Sequence, residues 1–138
     1  MAPEGISYVD TDMVGMTGTD ETYVKSQRRE LTDEIRQKTA LYRGVKQPLS
    51  VDARAVVLVD DGAATGATMC AAIRWAQQHK AKKIIVALPV APPEIAEKLR
   101  TLVRDVIVLE TPTDFGAVGQ FYRNFPQMTD DEVVQLLS

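Results

Sequence analysis

Apolar positions along this chain follow two regimes. From about Asp20 to Arg43 they are sparse and periodic, with Val24, Leu31, Ile35 and Tyr42 spaced by fours and sevens in an otherwise polar stretch. That spacing predicts an amphipathic helix with a narrow apolar stripe, lying at the edge of the structure. Thr19 suits its N-cap, Asp20 and Glu21 suit the positive end of its dipole, and Gly44, followed by Pro48, suits its end. From Val51 the apolar residues come instead in short continuous runs separated by helical stretches: AVVLVDD, GATMCAAIRWAQQHK, KKIIVALPV, PPEIAEKLRTLV and RDVIVLE. This order predicts βαβαβ, and continuously apolar strands predict a parallel sheet buried on both faces. Met69, Ala72, Ile73 and Ala76 form the stripe expected to pack on that sheet, and Pro92 or Pro93 opens the next helix.

Before and after this core the pattern is thinner. GISYVD is a short extended segment near the start, and the tail ends in a capping box, Thr129 to Glu132, ahead of a short helix carrying Val133, Leu136 and Leu137. No repeat or low-complexity linker divides the chain. Its 138 residues are expected to form a single α/β domain, with residues 1–50 holding the amino-terminal strand and long helix and residues 51–138 the βαβαβ core and tail.

The run VVLVDDGAATGAT, from Val56 to Thr68, places two carboxylates at the end of an apolar strand and follows them with almost no side chain. In open parallel sheets ligands sit beyond the carboxyl ends of the strands, which is where Asp60 and Asp61 fall. The small residues after them lead into a helix, so backbone N–H groups can turn toward an anion that the helix N-terminus already favours. Carboxylates accept hydrogen bonds from neutral hydroxyls while the bare loop takes a phosphate, and a sugar phosphate offers both. The rival nucleotide motifs fit poorly. A P-loop requires Lys where Ala67 stands, and Gly62 and Gly66 lack the spacing of a dinucleotide fingerprint.

Composition narrows the classes. Apolar residues are 45% and charged residues 25% of the chain, and the net charge is −3, so neither disorder nor a nucleic-acid surface is expected. The basic spots, Lys25, Arg28 and Arg29, then Lys80, Lys82 and Lys83, read as solvated helix ends. The single cysteine, Cys70, excludes an internal disulfide and a CxxC pair, which fits a reducing compartment. No apolar run approaches the roughly 20 residues of a membrane span, and MAPEGIS lacks the order of a secretory signal, so a cytoplasmic protein without membrane contact is expected. Cys70 reads as a packing residue, His79 as a dipole partner at a helix end, and Phe115, Phe121, Tyr122 and Phe125 as aromatics that close the core. Trp75 fits either core or interface.

VVLVDDGAATGAT also resembles the phosphoribosyl pyrophosphate (PRPP) signature of type I phosphoribosyltransferases. LYRG, ALPVAPPE, LETP, AVGQFY and TDDEVV extend the likeness to predicted bacterial members of that family over most of the chain from Tyr23. The resemblance implies a phosphoribosyltransferase-like sheet of flavodoxin-like order, lacking the upstream half that carries a pyrophosphate loop. It also implies transfer of phosphoribose to a nitrogen acceptor, with magnesium held through the substrate and no metal ligand from the protein. Asp60 and Asp61 become the ribose contacts. Gly62 continues the site, and Ala63, Ala64, Thr65, Gly66, Ala67 and Thr68 cradle the phosphate. Ala64 stands where several base-salvage members carry an Asp that acts on the base, which leaves the acceptor and any catalytic residue unassigned. The rival expectation is a non-enzymatic PRPP or nucleotide sensor, or an interaction module. With no upstream strands to pair it, Val56 to Asp60 would leave an apolar edge open. That edge is expected to be covered by the amino-terminal segment or by a second copy in a homodimer.

Overall fold

The computed structural model describes residues 21–44 and 50–137. The GISYVD segment, the Thr19 cap, Asp20 and Pro48 lie outside the described residues. In chain order the elements are α1 (Glu21–Arg43), β1 (Ala55–Val59), α2 (Ala67–Gln78), β2 (Lys83–Val90), α3 (Pro93–Leu102), β3 (Asp105–Glu110), a 3-10 turn (Val118–Phe121) and α4 (Asp130–Leu137). Helix α1 ends where Gly44 takes φ +54° and donates its N–H to the Ala40 carbonyl, a left-handed stop that glycine adopts without steric penalty. Its main contact is α4, to which the Tyr42 hydroxyl reaches by donating to Asp130 Oδ1 at 2.6 Å.

The three strands are parallel and lie in the order β1-β2-β3. Val57 pairs with Ile85 and Ala87 with Ile107, so the register runs unbroken across the sheet. Helix α3 opens on Pro93, with the Pro92 carbonyl accepting from the Ile95 and Ala96 N–H groups. Proline fits there because a first-turn N–H has no helical partner to lose.

The core lies between the sheet and helices α2 and α3. Met69, Cys70, Ile73, Val86, Leu88 and Leu99 are buried in one cluster, each large aliphatic member contributing about 1.5–3 kcal/mol by leaving water. Within α2 the buried set is Met69, Cys70, Ala71, Ile73 and Ala76, and Ala72 is only half-buried. Ala72 thus drops from the expected stripe. Cys70 is buried because α3 flanks the helix as the sheet underlies it. The Gln77 side-chain amide marks that flank by donating to the Leu102 carbonyl at 3.3 Å.

One expectation fails. The sheet is not buried on both faces among the described residues: Val57 and Val59 in β1 are 56% and 71% exposed, and Ile107 and Leu109 in β3 are 54% and 75% exposed. The reason is topological. Parallel crossovers are right-handed, and two successive crossovers stepping the same way, β1-α2-β2 and β2-α3-β3, put both helices on the same face.

Candidate functional site

Strand β1 delivers Asp60 to its carboxyl end, and the chain then turns through Asp61–Gly66 into α2. The turn is tight because its glycines lie against neighbouring side chains. A Cβ at Gly62 would stand 2.8 Å from Val118 Cγ1 and 3.0 Å from Val90 Cγ1, so no other residue fits without displacing a neighbour. Ala63 is buried and donates its N–H to the Val90 carbonyl at 3.1 Å, pinning the loop to the end of β2. Gly66 takes φ +71° as the N-cap of α2, and a Cβ there would come within 3.0 Å of Ile95 Cγ2. The glycine supplies both the left-handed backbone and the clearance.

Asp60 and the run from Gly62 to Met69 line a pocket of about 210 Å³. Helix α2 has neither a side-chain cap nor an acidic residue in its first turn. Its positive end therefore faces this pocket unneutralised, the arrangement that favours an anion. Thr65 Oγ1 lies 3.4 Å from the Ala67 nitrogen, a long contact that an incoming oxygen can replace.

The two carboxylates are not equivalent. Asp60 is half-buried, lines the pocket, and accepts the Asp61 N–H on Oδ1 at 3.0 Å, leaving Oδ2 for a ligand hydroxyl. Burial pushes its pKa above the ordinary carboxylate value, opposed by that backbone hydrogen bond and reinforced by the neighbouring Asp61 charge. Asp61 is exposed and its side chain lies outside the pocket lining. The structure thus gathers Asp60 and Gly62, Ala63, Ala64, Thr65, Gly66, Ala67 and Thr68 around one pocket and sets the Asp61 side chain beside it.

Pattern reading missed the tail's contribution. The Tyr122 hydroxyl donates to the Asp61 carbonyl at 2.6 Å, joining residues 61 positions apart. The segment that carries it is locked by Gln120, whose Oε1 accepts from the Gly116 and Ala117 N–H groups at 2.9 and 3.2 Å while its Nε2 donates to the Asp114 carbonyl at 3.1 Å. Tyr122 also packs on Phe125, with ring centroids 5.1 Å apart. The only sequence signal was an aromatic cluster, which names no partner. Cys70 is buried, and His79 caps α2 while its ring stacks on Trp75 at 4.5 Å.

A larger, open depression of about 960 Å³ lies at the opposite end of the strands, among Ala53, Ala81, Lys82, Val103 and Arg104. It is the less suitable site, because ligands of parallel sheets collect at the carboxyl ends. Among the described residues no cluster of three or more His, Cys, Asp or Glu side chains is arranged to hold a metal ion, and no helix is long and apolar enough to cross a membrane.

Comparison with known proteins bears on this arrangement. Two Mycobacterium tuberculosis proteins, from strains CDC 1551 and H37Rv, whose names assign them provisionally to the phosphoribosyl transferases, are each 37% identical over 134 residues. That alignment takes in 97% of this chain and 30% of either relative. The crystal structure of TT1426 from Thermus thermophilus superposes with a TM-score of 0.75 at 37% identity, over 90% of this chain and 59% of that one. The family model of the phosphoribosyl transferase domain matches residues 9–126, which span the β1 loop, all three strands and Tyr122. The chain therefore belongs to the phosphoribosyltransferase family.

Proposed function

We propose that the loop after β1 binds PRPP or a related ribose 5-phosphate, and that the protein acts as a phosphoribosyltransferase, passing phosphoribose to a nitrogen acceptor. The observation that carries the reading is the pairing, in one pocket, of an uncapped helix N-terminus with the half-buried Asp60 carboxylate. The N–H groups at the start of α2 would hold the 5′-phosphate, and Asp60 Oδ2 would accept a ribose hydroxyl. Asp61, whose backbone Tyr122 fixes, would meet the second hydroxyl once the ligand extends past the pocket rim.

Bond breaking at the anomeric carbon builds positive charge on the sugar as pyrophosphate leaves, and incoming nitrogen inverts that carbon. Positioning by the rigid loop, with carboxylates near the developing charge, is the contribution these residues make. Magnesium would be held through the substrate, beside the Asp60 carboxylate that lines the pocket. When bound it would neutralise pyrophosphate oxygens. The proposal places the protein in the cytoplasm, in keeping with its single thiol.

One observation favours a second reading. Asp60 is the only titratable side chain in the pocket lining, and Ala64 leaves the loop without a general base. A non-enzymatic PRPP sensor needs no such base. Calorimetry with ribose 5-phosphate and with PRPP plus magnesium, followed by a pyrophosphate-release assay over a panel of bases, separates the two. Release supports the transferase, saturable binding without release supports the sensor, and no binding of either ligand refutes both. Asp60→Asn and Asp61→Asn should each weaken binding by about 1–3 kcal/mol as charged hydrogen bonds are lost.

A further inference from the structure

The tail grips the loop at the peptide that joins Asp61 to Gly62. The Tyr122 hydroxyl donates to the Asp61 carbonyl at 2.6 Å, and Val118 stands so close to Gly62 that a Cβ there would lie 2.8 Å from its Cγ1. Gln120 braces the turn between them through the Gly116 and Ala117 N–H groups and the Asp114 carbonyl. Tyr122 therefore reaches the loop from a fixed support.

The N–H groups along this stretch show what the grip achieves. Asp61 N–H donates to Asp60 Oδ1 at 3.0 Å, and Ala63 N–H donates to the Val90 carbonyl at 3.1 Å. Between them Gly62 N–H makes no hydrogen bond among the described residues, although Gly62 is buried. Buried backbone donors ordinarily have a partner, so an orphan of this kind calls for a ligand oxygen. The carbonyl and the N–H of one trans peptide point in opposite directions. Drawing the Asp61 carbonyl to Tyr122 thus turns Gly62 N–H away from the tail. Gly62 lines the pocket, and Tyr122 lies outside that lining.

We propose that Tyr122 is a positioning residue for the sugar: its hydrogen bond sets the Asp61–Gly62 peptide so that Gly62 N–H faces the pocket and donates to a ribose oxygen. The place of Gly62 in the loop selects ribose over phosphate, because it directly follows the two carboxylates and stands well before Gly66, the N-cap of the helix whose first N–H groups take the phosphate. A phenyl ring at position 122 would still pack on Phe125 but could not hold the carbonyl. The peptide would then be free to rotate, and the donor would lose its aim. This proposal rests on the sugar-phosphate reading of the loop, and its test separates the two.

The full chain, labelled with nitrogen-15, is titrated with ribose 5-phosphate and separately with inorganic phosphate while the amide signals of Gly62 and Thr68 are followed. Ribose 5-phosphate should move both signals, the Gly62 proton downfield as it enters a hydrogen bond, whereas phosphate should move Thr68 alone. Tyr122→Phe should weaken ribose 5-phosphate about tenfold, the loss of roughly one hydrogen bond, and should abolish the Gly62 shift. Its affinity for phosphate should stay unchanged. A role confined to holding the loop together would weaken both ligands alike, and that result overturns the proposal. Full affinity of Tyr122→Phe for ribose 5-phosphate also overturns it and leaves the loop reading standing, while a wild-type chain that binds neither ligand overturns both. If Tyr122→Phe fails to fold, the wild-type titration still decides, because a Gly62 signal indifferent to ribose 5-phosphate refutes the donor.

Discussion

The two faces of the sheet carry similar residues and meet opposite fates. Under α2 and α3, Val86 and Leu88 are buried, and on the other face Val59 and Leu109 remain largely in solvent. Valine and leucine occur on both, so hydrophobicity of the residue does not decide its burial. Crossover handedness does. The covered face determines whether the fold holds, while the face left open among the described residues determines what the fold can meet.

The largest effect should come from the covered face. Leu99→Ala, at a site with no exposure, should destabilise by about 2–5 kcal/mol through lost burial and a residual cavity. Leu109→Ala, on the open face, should change stability by about 0.5 kcal/mol or less. Chemical denaturation of the two variants checks the contrast, and equal losses would mean that the open face is covered in solution.

Between the faces lies the loop, where close approach matters more than burial. Gly62→Val forces branched carbons against Val118 and Val90 and should destabilise by about 1–3 kcal/mol as overpacking does. It should also abolish ribose 5-phosphate binding in calorimetry. A variant that kept full affinity would show that the loop geometry is not what the ligand reads.

Asp60 sharpens the comparison because it sits at the border of the covered face. Its pKa is raised by burial and by Asp61, so the folded state holds its proton more tightly than the unfolded chain does. The resulting stabilisation is fully present below the ordinary carboxylate pKa and is lost as pH rises through the elevated folded value. At neutral pH the ionised Asp60 therefore works against folding. Asp60→Asn should raise the thermal midpoint of the unliganded protein at pH 7 and lose that advantage in acid, while it weakens ligand binding. A midpoint unchanged at both pH values would count against the burial argument.

The smallest effect should come from the periphery. Thr129 N–H and Oγ1 both donate to Glu132 Oε2, at 2.7 and 2.9 Å, and Glu132 N–H donates back to Thr129 Oγ1 at 3.3 Å. Hydrogen bonds from Thr129 hold the Glu132 carboxyl below its ordinary pKa. This support is present above the unfolded pKa and fades as pH falls through the lowered folded value. Thr129→Ala should speed amide exchange in the first turn of α4 and leave the global midpoint nearly unmoved.

What was legible in the sequence is local. VVLVDDGAATGAT announces a strand, a pair of acids and a helix start because each depends on neighbours within a few residues. The α1 stripe, the proline at the start of α3 and the Thr129 box are read for the same reason. What only the tertiary structure decided joins distant positions. Tyr122 holds the Asp61 carbonyl, Val118 makes Gly62 indispensable, and Asp60 rather than Asp61 lines the pocket. The exposure of Val57, Val59, Ile107 and Leu109 is of this kind too. An apolar run predicts that a strand seeks cover on both sides, but which side receives it depends on where the crossovers carry the helices, and no residue within the strand encodes that.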